Sequence, residues 1–384
     1  MQLKINAHYN IVFEWIPYNQ FNNIKEIGNG SFSIVYSAIW KDGPLRYKVN
    51  KYVYERNSNC NVALKCLHNS QNITYEFLNE IKSYSINDTI NILQIYGISQ
   101  NPDTKNYIMV TAYAEDGDCY SWLKKYCNKV DWKDKIHLLL HIIDGLQSIH
   151  QKQMVHHDLH LGNILMTNAT YAMDVNYTSS TIYYGNIVCI SDMGLCRESD
   201  NIDETKIYEV MPYVAPEVLR GKPYTQAADI YSFGMIMYFV ATGRQPFDNH
   251  AHDQNLVLNI CSGFGPEINE QEVPKCYIDL IKRCWDSNSD NRPNVIEVKE
   301  SIDRFSENKK FSEVEEYRKA NLLTNKNNQS ITHSQAIYTS RLLNPFTKDL
   351  PKWDNNINNN SVEVIDFVEL SVINEIAKQK NQEN

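Results

Sequence analysis

The spacing of apolar residues changes along the chain from a strand pattern to a helical pattern, and this change limits the folds that are available. Short runs rich in β-branched and aromatic residues occupy the first third, at residues 24–27, 33–40, 62–67, 92–98 and 107–111. One helical stretch, residues 75–85, interrupts them, because Phe77, Ile81 and Tyr84 fall on one helical face. The first third is therefore predicted to form a β-rich lobe with one helix.

Helical patterns dominate the middle of the chain. Residues 131–150 carry one continuous apolar stripe, and Asp131 is placed to cap its start. Residues 229–242 are apolar almost all round, which is typical of a helix buried inside a large lobe. A mainly β segment that precedes a mainly α segment favours an α+β architecture in two lobes.

The last part of the chain becomes polar from about residue 311, and residues 355–360 read NNINNN. This composition is typical of a linker or a disordered segment. Apolar residues return beyond it, so one amphipathic helix is predicted at residues 362–378. Such a helix would either dock on the rest of the chain or bind a partner, and docking is the favoured interpretation.

Charge, cysteine content and hydropathy exclude several classes of protein. The 384 residues carry a net charge of −9, so no nucleic acid partner is expected. The nine cysteines include no C-x-x-C pair, which favours reduced thiols over a disulfide framework or a zinc site. The N-terminus lacks a signal-peptide pattern, and the most apolar run, residues 233–241, is shorter than the ~20 residues that span a bilayer. We therefore predict a cytoplasmic protein that makes no membrane contact.

Two short motifs in the first third suggest phosphate binding. Gly28 and Gly30 lie between strand-like runs, and glycines let backbone N–H groups approach a phosphate closely. A plain β-hairpin would explain them equally well. Lys65 ends an apolar strand run, where a buried ammonium needs a partner. Glu80 on the predicted helix is the candidate partner, although surface ion pairs are the commoner case.

The most specific pattern lies at residues 155–165. Asp158 and Asn163 follow the helix of residues 131–150, with polar residues between them. A carboxylate can accept the proton of an attacking hydroxyl, and an Asn carbonyl can hold a magnesium ion beside it. The alternative is a metal site formed by the histidines of this segment, His156, His157 and His160. That alternative is disfavoured, because adjacent histidines point in different directions and no H-E-x-x-H spacing occurs.

Three further charged residues lie at positions that suggest a role. Asp192 ends a strand-like run just before Gly194, which suits a metal ligand but also an ordinary turn. Glu217 ends an Ala-Pro-Glu segment, and Arg292 lies in an Asn-Arg-Pro segment. These opposite charges are expected to pair and to lock a loop to a distant helix.

Taken in order, these motifs resemble the signature set of protein kinases: a Gly-rich loop, a strand Lys, a helix Glu, H-x-D-x-x-x-x-N, D-x-G and A-P-E. Neighbouring residues are similar to the tyrosine-kinase-like group of Ser/Thr kinases. The resemblance covers about residues 18–305 and implies a bilobal protein-kinase-like fold. Its small antiparallel lobe would span about residues 18–112, and its mainly helical lobe about 113–305. Residues 1–17 would be an extension and residues 306–384 a tail.

The resemblance also implies roles for individual residues. ATP would be bound by Ile27, Gly28, Asn29, Gly30, Ser31, Val35, Ala63, Lys65, Glu80, Thr111, Ala112, Ala114, Asp118, Leu165 and Asp192. Lys65 would hold the α- and β-phosphates, and Asp158 would accept the proton of the substrate hydroxyl. Asn163 and Asp192 would bind two Mg²⁺ or Mn²⁺ ions. Asp229 would hold the backbone of the catalytic loop.

Some positions depart from the kinase pattern. His157 replaces an Arg that usually binds a phosphorylated activation loop, so phosphorylation of Ser199, Thr205 or Tyr208 is expected to gain little from this pocket. His160 replaces a Lys that contacts the γ-phosphate, and Val210 replaces a Thr typical of Ser/Thr kinases. Tyrosine therefore stays open as an acceptor beside Ser and Thr.

Three functions are compatible with the sequence: an active protein kinase, a pseudokinase that serves as a scaffold, and a kinase of small molecules. The presence of Lys65, Asp158, Asn163 and Asp192 favours activity. The Ala-Pro-Glu segment favours a protein as substrate. The sequence does not predict an oligomeric state.

Overall fold

The computed structural model describes the following parts of the chain: residues 12–30, 33–48, 51–67, 70–71, 81, 91–126, 129–168, 186–193, 197–198, 207–270, 272–306, 308–321, 332–347 and 350. Of the predicted features, Ser31, Glu80, Gly194 and most of the helix at 75–85 lie outside these residues. The helix predicted at 362–378 also lies outside them.

A six-stranded sheet forms the first lobe, in the order β1-β7-β8-β6-β3-β2. Its strands are β1 (Glu14–Trp15), β2 (Phe21–Asn29), β3 (Ser33–Trp40), β6 (Cys60–Leu67), β7 (Ile95–Gln100) and β8 (Tyr107–Ala112). A separate hairpin joins β4 (Leu45–Lys48) to β5 (Val53–Arg56). All pairings in the large sheet are antiparallel except that of β1 with β7. The expected antiparallel lobe is thus extended by one parallel edge strand.

The parallel edge strand depends on a glycine. Gly97 of β7 pairs with Glu14 of β1, and a Cβ on Gly97 would collide with the Glu14 carbonyl. Only a residue without a side chain lets the two backbones approach so closely.

Helices form the second lobe: α1 (Cys119–Tyr126), α2 (Trp132–Gln151), α3 (Pro216–Leu219), α4 (Gln226–Thr242), α5 (Gln254–Cys261), α6 (Lys275–Cys284), α7 (Val295–Phe305), α8 (Lys310–Asn321) and α9 (Asn344–Thr347). Asp131 caps α2 as predicted, because its side chain accepts the Asp134 N–H at 2.9 Å. Helix α4 is buried along almost its whole length, as its apolar sequence requires. Among the described residues, no helix is both long enough and apolar enough to cross a membrane.

Three short two-stranded sheets position the loops between the lobes. They are β9 (Met154–Val155) with β12 (Arg197–Glu198), β10 (Ile164–Asn168) with β11 (Asn186–Ile190), and β13 (Tyr208–Glu209) with β14 (Arg341–Leu342). The last pair joins a loop near Asp158 to residues far along the chain.

Part of the chain after residue 306, which the sequence predicts to be a polar tail, packs against helices of the second lobe. Phe311 is 5% exposed and packs its ring against those of Trp132, Tyr277 and Phe305. Leu343 is fully buried, and the compact unit continues to Leu350. A few apolar residues in a polar stretch suffice to attach it, because each one that is buried contributes about 1.5–3 kcal/mol.

Candidate active site

Asp229, at the start of α4, fixes the loop that carries Asp158. Its carboxylate accepts the backbone N–H groups of His156 at 2.9 Å and His157 at 3.2 Å. It also lies 2.9 Å from Nε2 of His150. Burial by itself raises the pKa of Asp229, but the His150 contact and the donated hydrogen bonds lower it below its ordinary value. The expected role of Asp229 as the anchor of this loop is visible in these contacts.

The anchor holds a strained backbone. His157 has φ +75°, a left-handed conformation that is unfavourable for a residue with a side chain. The Asp229 bond to the His157 N–H lies at this residue, directly before Asp158. The loop therefore keeps its shape because a buried carboxylate offsets the cost of the unusual φ.

Asn163 lies directly beside Asp158. Its Nδ2 donates to the Asp158 carbonyl oxygen at 2.8 Å and approaches Asp158 Oδ2 at 3.4 Å. Since the amide nitrogen faces Asp158, the Oδ1 atom of Asn163 is the one suited to bind a cation. The segment is completed by Ser191, whose N–H and hydroxyl donate to the Asn163 carbonyl at 2.8 and 2.9 Å.

Asp192 is held next to the same loop. His156 Nε2 donates to the carbonyl of the preceding Ser191 at 2.9 Å, and Asp192 itself has φ +55°. Lys65 Nζ lies 2.7 Å from Asp192 Oδ1. Burial alone raises the pKa of Asp192, but the ammonium lowers it below its ordinary value. Lys65 thus reaches across from the sheet to Asp192, while its expected partner Glu80 lies outside the described residues.

The residues expected around ATP come from several strands. Gly28 pairs with Val35, Val35 with Lys65, and Ala63 with Thr111, so β2, β3, β6 and β8 bring these positions into adjacent rows. Asn29 pairs with Ile34 at the end of the same hairpin, and the Gly30 N–H donates to the Ser33 carbonyl at 2.9 Å. Ile27 is 51% exposed, which leaves its side chain accessible at the sheet surface.

The other residues expected around ATP lie at the end of β8, in the segment after it and in β10. Thr111 is buried at the end of β8, followed by Ala112 and Ala114. Leu165 forms an isolated bridge with Asp118. The Asp118 carboxylate accepts the N–H and hydroxyl of Ser121 at 2.9 and 2.8 Å, so it stabilises the start of α1. Its contact with a ribose remains a prediction.

The three histidines of this segment make separate contacts. His156 bonds to Ser191, and the His157 ring packs 4.3 Å from that of Tyr224. His160 Nδ1 accepts the Gly162 N–H at 3.1 Å, so the proton of the neutral ring is on Nε2. This Nε2 lies 3.6 Å from Asp158 Oδ1. In the part of the chain that the structure describes, no group of three His, Cys, Asp or Glu side chains could hold a metal ion.

Glu217 and Arg292 form the predicted pair. Two hydrogen bonds of 2.7 Å join them, and the Arg292 side chain is fully buried. Arg292 also donates to the carbonyls of Asp286 and Ala227 at 2.8 and 2.9 Å. The loop that ends in α3 is therefore fixed to the end of the domain by a satisfied buried ion pair.

Sequence reasoning missed two residues at this site. Ser340 Oγ donates to Asp158 Oδ2 at 2.8 Å, although it follows in the chain by 182 residues. Glu209 is buried at 4% exposure, and burial followed by the charges of Asp158 and Asp229 raises its pKa well above the ordinary value. The sequence feature that could have pointed to Ser340 is the small group of apolar residues around Leu343 within a polar stretch. No sequence feature pointed to Glu209.

Comparisons with known proteins agree with this geometry. The family model described as protein tyrosine and serine/threonine kinase matches residues 21–302. Three relatives are from Dictyostelium discoideum. The RGS domain-containing serine/threonine-protein kinase A is 25% identical over 74% of this chain and 22% of its own length. The cyclic GMP-binding protein C is 26% identical over 75% of this chain and 11% of its own length. The probable serine/threonine-protein kinase roco5 is 27% identical over 74% of this chain and 10% of its own length. The matched region thus makes up less than a quarter of each of these relatives.

Proposed function

The chain belongs to the protein tyrosine and serine/threonine kinase family, and from this premise we propose that it transfers the γ-phosphoryl group of ATP to Ser or Thr hydroxyls of proteins. One observation carries the proposal. Asn163 lies beside Asp158 and accepts two hydrogen bonds from Ser191. Lys65 is paired with Asp192, the residue after Ser191, so groups from three distant segments of the chain lie close together. A scaffold that only binds partners has no need of this constellation, so we favour activity over a pseudokinase.

The residues suit ATP and a hard divalent cation. Asn163 Oδ1 and the Asp192 carboxylate are oxygen donors of the kind that Mg²⁺ and Mn²⁺ prefer. The Lys65 ammonium, 14% exposed at its side chain, provides the positive charge that phosphates require. ATP would supply the phosphoryl group, and the cation would neutralise the charge that develops during its transfer. We propose that both bind between the lobe of residues 18–112 and the lobe of residues 113–305.

Each protein group then has a distinct task. Asp158 Oδ2 faces the acceptor hydroxyl and takes its proton as the new oxygen–phosphorus bond forms. Asn163 holds Asp158 through the 2.8 Å bond to its carbonyl. The Nε2–H of His160, 3.6 Å from Asp158 Oδ1, can orient the carboxylate. Precise placement matters because proximity and orientation supply most of the rate in phosphoryl transfer.

A protein hydroxyl is the favoured acceptor. Glu217 and Arg292 fix the loop that faces Asp158, and the hydroxyl that reaches Asp158 in the structure is that of a serine. This supports Ser or Thr over Tyr. The free thiols of the seven described cysteines support a reducing, cytoplasmic location as part of the proposal, and the net charge of −9 argues against a nucleic acid substrate.

The test is a phosphorylation assay with labelled ATP, MgCl₂ or MnCl₂, and myelin basic protein, followed by phosphoamino-acid analysis. We expect phosphoserine and phosphothreonine, no product in EDTA, and no product from Asp158→Asn. Asp303→Asn is the matched control, because Asp303 is an exposed residue of α7. Phosphotyrosine alone would overturn the Ser/Thr assignment, and absence of product with intact folding would overturn the proposed activity.

A further inference from the structure

We infer that residues 333–347 occupy the groove for protein substrates and present Ser340 to Asp158 as the chain's own phosphoryl acceptor. This inference rests on the proposed kinase function and names a substrate for the same site. The stretch His-Ser-Gln-Ala-Ile-Tyr-Thr-Ser-Arg-Leu-Leu-Asn-Pro-Phe-Thr is called the docked segment below.

The hydroxyl of Ser340 has the contact that a substrate hydroxyl needs. Its Oγ donates to Asp158 Oδ2 at 2.8 Å. This lies within the range of about 2.6–3.2 Å expected between a general base and the heavy atom whose proton it abstracts. Two other hydroxyls of the segment, on Ser334 and Thr339, belong to exposed residues. Ser340 is therefore distinguished from its neighbours by position and not by residue type.

Backbone pairing holds the residues that follow Ser340. Arg341 and Leu342 form β14 and pair antiparallel with Glu209 and Tyr208 of β13. The pairing continues where the Leu343 N–H donates to the Ile207 carbonyl at 2.8 Å. In return, the Ile207 N–H donates to Asn344 Oδ1 at 3.0 Å. Strand addition of this kind is a recurring way to bind a peptide, because main-chain bonds fix its register.

His252, just before α5, contacts residues on both sides of Ser340. The Ile337 N–H donates to His252 Nδ1 at 3.0 Å, and Arg341 donates to the His252 carbonyl with its Nη2 at 2.6 Å. The hydroxyl of Tyr338 donates to the Pro246 carbonyl at 3.0 Å. Ser340 is thus clamped from both sides, with contacts on each flank.

One apolar side chain anchors the segment. Leu343 is 0% exposed, whereas the adjacent Leu342 is 37% exposed. Such alternation is what a strand shows when one face lies on a protein surface. Burial of Leu343 removes a large apolar side chain from water and so stabilises the docked segment, and the partly buried Phe346 adds to this.

The reaction balances without another co-reactant. Ser340 Oγ forms a bond to the γ-phosphorus of ATP, and the bond from that phosphorus to the β–γ bridging oxygen breaks. The bonding electrons leave with ADP, and the hydroxyl proton moves to Asp158. The product is phosphoserine at residue 340.

Docking and phosphorylation have opposite effects on access to the site. Before transfer, the segment excludes other proteins from Asp158. After transfer, a phosphate with a charge of about −1.5 to −2 lies beside the Asp158 carboxylate, and like charges repel. We therefore expect the phosphorylated segment to leave the groove and to admit other substrates.

The first experiment measures phosphate at residue 340 by mass spectrometry in the full chain, after phosphatase treatment and addition of MgATP. We expect a first-order rate that does not change across a wide range of protein concentration, because the acceptor belongs to the same chain. Thr339→Ala, the matched hydroxyl control, should keep this signal, and Ser340→Ala should lose it. A rate proportional to protein concentration would overturn transfer within one chain.

The second experiment reads docking without catalysis, by hydrogen exchange in the absence of nucleotide. The Ile337 and Leu343 amides should be protected in the wild type and in Ser340→Ala. Both amides should exchange freely in Leu343→Asp. Ile337→Pro is a second variant, which changes an exposed position and removes the N–H of residue 337, and in it the Leu343 amide should exchange freely. A fluorescein-labelled peptide of residues 333–347 should bind the two release variants and not the wild type. Unprotected wild-type amides, or equal peptide binding to all chains, would overturn docking.

Myelin basic protein separates the two possible failures. We expect the release variants to phosphorylate it with an apparent KM lower by about tenfold or more, because a tethered competitor acts at millimolar effective concentration. Phosphate on myelin basic protein but never on Ser340 would refute the acceptor role and leave the kinase function intact. No phosphate on either would refute the acceptor role together with the function, while hydrogen exchange still decides whether the segment docks.

Discussion

Asp229→Asn is the substitution whose effect the structure determines most directly. The carboxylate offers two acceptor atoms to the N–H groups of His156 and His157 and to Nε2 of His150. Asparagine offers one acceptor, so at least one buried N–H would face an NH₂ group. Loss of a buried partner costs about 1–3 kcal/mol, and the remaining bonds weaken once the charge is gone. We expect the free energy of unfolding to fall by about 3–5 kcal/mol.

The assay is urea unfolding of the wild type, Asp229→Asn and Asp253→Asn. Asp253 also accepts two backbone N–H groups, those of Asn255 and Leu256, but it does so at the partly exposed start of α5. Asn caps helices about as well as Asp, so the control should lose less than about 1 kcal/mol. A loss for Asp229→Asn no larger than that of the control would refute the argument from burial.

The same variant tests how the anchor affects catalysis. With its bond to the His157 N–H weakened, the backbone at φ +75° can relax and move Asp158. We expect kcat to fall on the order of a hundredfold with little change in the KM for ATP. Unchanged kcat in the folded variant would show that Asp158 is positioned by other contacts.

Three further substitutions have defined outcomes. Lys65→Met should abolish phosphoryl transfer with little loss of stability. The control Lys299→Met, which removes a surface ion pair, should leave turnover unchanged. Near-normal turnover of Lys65→Met would contradict the assignment of Lys65 to the ATP site. Glu209→Gln should raise the melting temperature more at pH 8 than near pH 4.5. The pKa of Glu209 in the folded protein lies above its ordinary value of 4.5, so the wild type loses stability as the pH rises, and glutamine does not. An equal gain at both pH values would count against a buried neutral carboxyl group. Glu217→Gln should cost about 3–5 kcal/mol because it leaves the buried Arg292 charge unpaired, and a loss within 1 kcal/mol would indicate that the loop rearranges.

The local parts of this fold could be predicted because they depend on neighbours in sequence. The run at residues 33–40 coincides with β3, and the stripe at 131–150 lies within one residue of α2. Strand alternation and helical spacing are set by burial of one face, which the sequence displays directly. The Glu217–Arg292 pair was also predictable, since few residues can neutralise a buried guanidinium.

The contacts that could not be predicted depend on long-range backbone pairing. β1 and β14 are two residues each, and neither has enough residues to show alternation. β1 needs the absence of a side chain at Gly97, and β14 needs the burial of Leu343 beside it. Glu209 has a side chain that normally indicates a solvated surface, so only the surrounding structure reveals that it is buried.

These contacts bear on how the loop before Ala215-Pro216-Glu217 is positioned. The His157 ring packs against the Tyr224 ring with 4.3 Å between the ring centroids, and His157 is 8% exposed. The position at which a phosphorylated loop would bind is therefore filled by side-chain packing. The described part of the loop is held instead by Glu217–Arg292 at its end and by β14 at Tyr208–Glu209. Ser199 and Thr205 lie outside the described residues, so the weak effect of their phosphorylation stays a prediction. β14 pairs with this loop, and the preceding Ser340 bonds to Asp158. Release of the docked segment would therefore free Asp158 and at the same time remove one support of the loop. Control of this chain is therefore expected to act through the docked segment, with Ser340 as the residue that changes its charge.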